Sequence, residues 1–235
     1  MSDSNTPGIN ASSAAQFRGF PPVAFEFYDG LEENNSRTYW LANKATFEQA
    51  VREPMAALLA GLPDAYGPFH MFRPNRDVRF SADKSPYKTA QGAVSEATAG
   101  GTYYLQISSA GLLVASGMYM MAPDQLARFR SAIDEDYCGE ELERVINDLH
   151  RAKIAVEPGH DAPLKTAPRG YAKDHPRIER LRWKACMAST EITSPAVLGS
   201  KRLRDRAIAF FERAAPLVAW LERHVGPTTM PRERR

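Results

Sequence analysis

Apolar residues recur at helical spacing from the start of the patterned chain. Phe20, Ala24, Phe27 and Leu31 follow at intervals of four, three and four, which puts them on one helix face. Pro21 and Pro22 stand at the entry, where a missing N–H leaves no helical bond unmade. The run Glu32-Glu33-Asn34-Asn35 ends the pattern, and Ser36 predicts the N-cap of a second helix. That helix carries Trp40, Phe47, Val51, Met55 and Leu58 on one face. Pro54 is predicted to kink or split it, and Gly61-Leu62-Pro63-Asp64 to end it.

The period then changes. Phe69, Met71 and Phe72 predict a short strand, and Asp77-Val78-Arg79-Phe80 alternates as a second one would. Thr102 to Ser108 is rich in strand formers. A turn around Ser109-Ala110-Gly111 leads into Leu112, Val114, Ser116, Met118 and Met120 at every second position, a hairpin signal. Met118, Met120 and Met121 read as core packing. Tyr103 and Tyr104 fall on opposite strand faces, so at most one belongs to the core.

Helical spacing returns with Leu126, Phe129 and Ile133 after Pro123-Asp124, and again with Leu142, Val145, Ile146 and Leu149. Lys153 to Val156 predicts a strand, and residues 158–176, with four prolines and two glycines, a long loop. Residues 177–193 fit helix or strand equally. A last long helix carries Leu203, Ala207, Phe210, Ala214, Leu217 and Leu221 on its stripe. Helices, strands, then helices predict an α+β fold, an antiparallel sheet packed with helices from the N-terminal and C-terminal parts. One domain is expected over residues 19–226, between disordered tails at 1–18 and 227–235.

Composition narrows the function classes. The 235 residues are enough for a sizeable core, and no apolar run approaches the roughly 20 residues of a membrane helix. The first residues carry neither a basic leader nor an apolar stretch, so no signal peptide is read there. Cys138 and Cys186 form no C-x-x-C pair and read as reduced thiols of a cytosolic protein. The histidines, His70, His150, His160, His175 and His224, show no metal-ligand spacing. The glycines form no phosphate loop, and G-x-S-x-G does not occur. No metal and no cofactor is therefore expected, and oligomeric state is left open.

Charge is uneven. Residues 165–235 hold 16 Lys/Arg against 7 Asp/Glu, or +9, and residues 1–164 hold 14 against 21, or −7. Within the acidic part, residues 73–88 hold five basic and two acidic groups, or +3. This segment, R-P-N-R-D-V-R-F-S-A-D-K-S-P-Y-K, is the densest chemistry in the chain. Guanidinium groups donate paired hydrogen bonds that match carboxylate and phosphate oxygens. Arg73, Arg76, Arg79 and Lys84 are the candidate anion ligands. Asp77, Asp83, Tyr87 and Lys88 support them as orienting carboxylates, rim hydroxyl and extra charge. The competing interpretation is an internal salt-bridge network tying a loop to the sheet.

At these residues the chain resembles the bacterial and fungal proteins grouped as domain of unknown function 2461. Their motif is close to R-x-x-R-D-x-R-F followed by Asp/Asn-Lys-x-x-Tyr, matched by Arg73, Arg76, Asp77, Arg79 and Phe80, then Asp83, Lys84 and Tyr87. Asn34 to Trp40 is similar to the family's N-N-x-x-x-W segment, and Pro168 to Pro176 to its P-x-G-Y-x-x-D-H-P segment. The resemblance implies one domain and a shared site. It names no activity, cofactor or catalytic residue.

Two further groups stand in a second tier. Asn34, Asn35 and Arg37 either present donors to the same site or make an ordinary Asn-Asn turn bonded to its own backbone. Arg169, Tyr171 and His175, the last beside Asp174, either include a general base or form a turn before Pro176. Three functions stay open: a pocket for an anionic small molecule, with or without catalysis; a nucleic-acid-associated module using the basic C-terminal portion; and a structural or partner-binding domain. No membrane association is expected.

Overall fold

A computed structural model describes residues 16–79, 83–96, 100–159 and 162–230. Helix α1 (Val23–Glu33) buries Ala24, Phe27, Tyr28 and Leu31, and α2 (Arg37–Thr46) starts where the Ser36 hydroxyl accepts the Tyr39 N–H at 3.2 Å. The helix then widens into a π-helical stretch, Phe47–Arg52, before α3 (Glu53–Ala60). Pro54 therefore splits the helix as predicted. It lacks an N–H for the carbonyl four residues back, and the wider turn ahead of it relieves the ring's crowding. Leu62 and Pro63 follow the last turn, and a single 3-10 turn, Asp64–Tyr66, leads to the sheet.

The sheet has six antiparallel strands in the order β1 (His70–Met71), β2 (Ala90–Glu96), β3 (Thr102–Ser108), β4 (Gly111–Met118), β6 (Cys186–Ile192) and β5 (Ala155–Glu157). β3 and β4 form the expected hairpin, closing at Ser108↔Gly111. Met120, expected on the core side of β4, lies beyond the strand and is 68% exposed, whereas Met118 is buried. The strand expected at Lys153–Val156 begins two residues later, because Lys153 turns the chain at φ 60°. Residues 177–193 divide between helix α6 (Ile178–Leu181) and strand β6.

One strand face builds the core. Tyr103, Leu105 and Ile107 on β3 align with Ser116, Val114 and Leu112 on β4, all buried. Against it packs α8 (Arg202–His224), whose Phe211 lies 5.1 Å from the Tyr103 ring. Helices α4 (Pro123–Asp134) and α5 (Asp136–Arg151) close one end through Phe129, Ile133, Leu142 and Ile146, and the short α7 (Pro195–Leu198) adds Leu198. The opposite sheet face carries half-buried Val94, Tyr104, Gln106 and Leu113. The molecule is thus a single α+β domain with helices from both ends of the chain on its sheet. Of the expected tails, residues 1–15 and 231–235 lie outside the described residues. Phe17 is buried in the core, and Thr228 and Thr229 bond the Asp124 carboxylate.

Candidate functional site

Between β1 and β2 the chain makes a long excursion that contains the arginine segment. Its neck is closed by backbone. Arg76 N–H donates to Pro86 O at 2.9 Å, Lys88 N–H donates to Pro74 O at 2.8 Å, and Asn75 bridges Tyr87. The neck is anchored from 52 residues upstream, where the Asn35 side chain donates to Tyr87 O at 2.9 Å and accepts Tyr87 N–H at 3.1 Å. Trp40 stacks on the Tyr87 ring. Asn35 thus joins the arginine segment instead of bonding its own backbone. Asn34 and Arg37 are exposed on the same turn, and neither side chain bonds the segment among the described residues.

The strand expected at Asp77–Phe80 does not form over Asp77–Arg79, and Phe80 lies outside the described residues. The Asp77 carboxylate takes the Arg79 N–H at 3.2 Å and the Arg79 guanidinium at 3.0 and 2.6 Å. That local turn consumes the donor a strand ladder would need. The same bonds hold the Asp77 carboxyl down at about 2. Asp83 pairs with Arg76 and accepts the Ser85 N–H, and Lys84 Nζ donates to Val78 O at 3.0 Å. The outer part of the loop is thus an exposed network of local pairs.

The base of the loop is different. Phe72 lies over Gly92, and the Lys88 ammonium stands 5.1 Å from the Phe72 ring centre. Burial pushes the Lys88 ammonium down, and Arg73 and Arg76 push it further in the same direction. Arg73 is exposed and has no carboxylate partner among the described residues. Arg73, Arg76 and Lys88 therefore gather here, with Asp83 on Arg76 and Asp77 near enough to feel the Arg73 charge. Phe72, read in the sequence only as part of a strand, and Gly92 were not among the candidate site residues. The available signal was the aromatic ring directly before Arg73.

The remaining second-tier residues lie elsewhere, beside α4. His175 Nδ1 accepts the Arg177 N–H at 3.0 Å, and its Nε2 faces Asp134 Oδ1 at 3.2 Å. His175 thus joins the loop to the end of α4 and lies apart from the arginine segment. Tyr171 is half-buried, its hydroxyl pKa raised by burial and by Asp134, whereas Arg169 and Asp174 are exposed.

Two clefts of about 440 and about 500 Å³ lie against α8, and neither is lined by a residue of the arginine loop. Among the described residues no three His, Cys, Asp or Glu gather as metal ligands, and no helix is long and apolar enough to cross a membrane.

The model of a family described as a conserved hypothetical protein (DUF2461) matches residues 23–220, and the chain belongs to that family. No curated protein matches the sequence.

Proposed function

Within this family, we propose that the base of the arginine loop binds a small anion, a phosphate or a carboxylate. The observation that carries this reading is the gathering of Arg73, Arg76 and half-buried Lys88 close enough for the two guanidinium charges to act on the ammonium. Like charges brought together disfavour one another, and an anion between them relieves the repulsion while accepting charge-assisted hydrogen bonds. Arg73 supplies an unpaired guanidinium fork, Lys88 a point charge, and Phe72 an apolar wall. Asp77 with Arg79, and Lys84 on Val78 O, tie the outer loop to itself. The reading is one of binding and assigns no reaction. We place the protein in the cytosol because Cys138 and Cys186 are free thiols.

The nucleic-acid reading has less support. In the basic C-terminal portion Arg177, Arg180, Arg182, Arg204 and Arg223 each pair with a carboxylate. A purely structural loop is the stronger rival, favoured by the Arg76–Asp83 and Arg79–Asp77 pairs. Exposed pairs of that kind are worth only about 0–1 kcal/mol each.

Isothermal titration with inorganic phosphate, acetate and succinate decides between them. Arg73→Ala and Lys88→Ala should each weaken binding by about tenfold or more, with Arg52→Ala, on the π-helical stretch, unchanged. A wild-type protein that binds none of the three, or a double variant that binds as well as wild type, refutes the anion site.

A further inference from the structure

The two clefts on α8 are neighbours, since Ala152 and Arg213 line both. In the larger one, Arg206 and Arg213 line one side and Thr190, Thr193 and Ser194 the other, with Phe210 also in the lining. Arg206 and Arg213 are seven residues apart on α8 and so share a face, about 10 Å from each other along the axis. The positions three and four residues from each hold no Asp or Glu, so the helix itself offers neither a partner. Among the described residues neither guanidinium has a carboxylate partner, in contrast to Arg204 and Arg223 on the same helix. The Ser194 hydroxyl, at the start of α7, caps nothing. Thr190 and Thr193 also make no side-chain hydrogen bond among the described residues. Among the described residues Glu191 is the one carboxylate in this lining, so the three charged groups sum to +1. In the adjoining cleft Arg151 is already neutralised by Asp148.

We infer that this cleft is a second binding site, for a small molecule with one anionic group and an apolar body. The anionic group sits between Arg206 and Arg213 and accepts from the rim hydroxyls. The apolar part lies on Phe210, Ile192 and Val197. A volume of about 500 Å³ falls in the range of small-molecule sites. The site shares no residue with the arginine loop, so either can fail without the other.

The test is a fluorescence titration of the full-length folded protein with anilinonaphthalene sulfonate, an apolar body with one sulfonate. Saturable binding to one site is expected. Arg206→Ala and Arg213→Ala should each weaken it by about tenfold or more. Ala209→Trp, which replaces an exposed alanine in the lining, should block it while circular dichroism stays unchanged. Arg202→Ala, on the same helix outside the cleft, and Arg73→Ala, in the other site, should bind as wild type. Neutral phenylnaphthylamine should bind at least tenfold more weakly. Absence of saturable binding, equal affinity in the Arg206→Ala/Arg213→Ala double variant, or equal affinity for the neutral analogue each overturns the inference.

Discussion

The rings of Trp40 and Tyr87 stack with centroids 4.4 Å apart and planes 9° from parallel. Asn35, on the turn just before the helix that carries Trp40, holds both backbone groups of Tyr87. One residue of the arginine loop is thus fixed by its ring and its main chain at once, from a helix distant in sequence. This contact converts a charged surface loop into a positioned one.

Removing the ring should therefore release the loop, and removing the hydroxyl should not. Tyr87 is 7% exposed, so Tyr87→Ala should cost about 3 kcal/mol in urea unfolding. Asn35→Ala leaves a buried backbone pair unpartnered and should cost about 1–3 kcal/mol. The Tyr87 hydroxyl makes no hydrogen bond among the described residues, so Tyr87→Phe should stay within about 0.5 kcal/mol of wild type. A Tyr87→Phe protein as unstable as Tyr87→Ala would show that the hydroxyl, not the stack, holds the neck.

Asp77 makes the outer loop sensitive to acid. Its bonds to Arg79 lower its pKa from 3.8 to about 2. A carboxyl whose pKa falls on folding stabilises the native state above its unfolded value. That contribution is lost as pH drops through the folded value, here between about 4 and about 2. Carboxyl-carbon NMR should show a titration midpoint near 2, moving up towards 3.8 in Arg79→Ala. A wild-type midpoint near 4 would mean that the turn is open in solution.

Asp124 holds the chain that follows α8. Its carboxylate accepts the Thr229 N–H at 2.9 Å and the Thr228 hydroxyl at 2.7 Å, while Arg128 donates to Pro227 O at 2.8 Å. The Thr229 and Thr228 bonds hold the Asp124 carboxyl well below the usual carboxylate range. Asp124→Ala should abolish the slow hydrogen exchange of the Thr229 amide and leave amides in the middle of α8 protected. Unchanged exchange at Thr229 would show that Arg128 and Gln125 fix the segment without Asp124.

Gly117 is irreplaceable for a backbone reason. Its φ is +137°, and an added Cβ would run into the Cys186 carbonyl on the neighbouring strand. Gly117→Ala should cost about 1–3 kcal/mol for the strained φ, more if β4 and β6 separate. Thermal unfolding of that variant, compared with Gly170→Ala where the space is open, separates the clash from the φ effect.

The sequence made some elements plain and hid others. The stripes of α1 and α8 are readable because a helix packed on one side must repeat its apolar residues at 3.6. The β3–β4 hairpin is readable because Leu105, Ile107, Leu112 and Val114 alternate. Strand β2 is not, since Ala90 to Glu96 contains one β-branched residue and no large apolar one. It is a strand because β1 and β3 pair with both its edges, and its Gly92 leaves room for Phe72 and Tyr104. Conversely, Asp77 to Phe80 alternates like a strand, yet its first three residues form a turn, because a nearby carboxylate outcompetes a distant partner strand.

The same division holds for the site. By itself the sequence determined that Arg73, Arg76, Arg79, Lys84 and Lys88 outnumber Asp77 and Asp83, because formal charge belongs to residue type. Only the tertiary structure decided which of these charges are cancelled. Arg79 lies on Asp77 and Arg76 on Asp83, while Arg73 and Lys88 are drawn together at the base, where Phe72 meets the sheet. Asn35 and Trp40, from far upstream, fix Tyr87 and with it the neck beside Lys88. The two ion pairs are local to the arginine segment, but no local pattern in it carries the long-range anchoring at Tyr87.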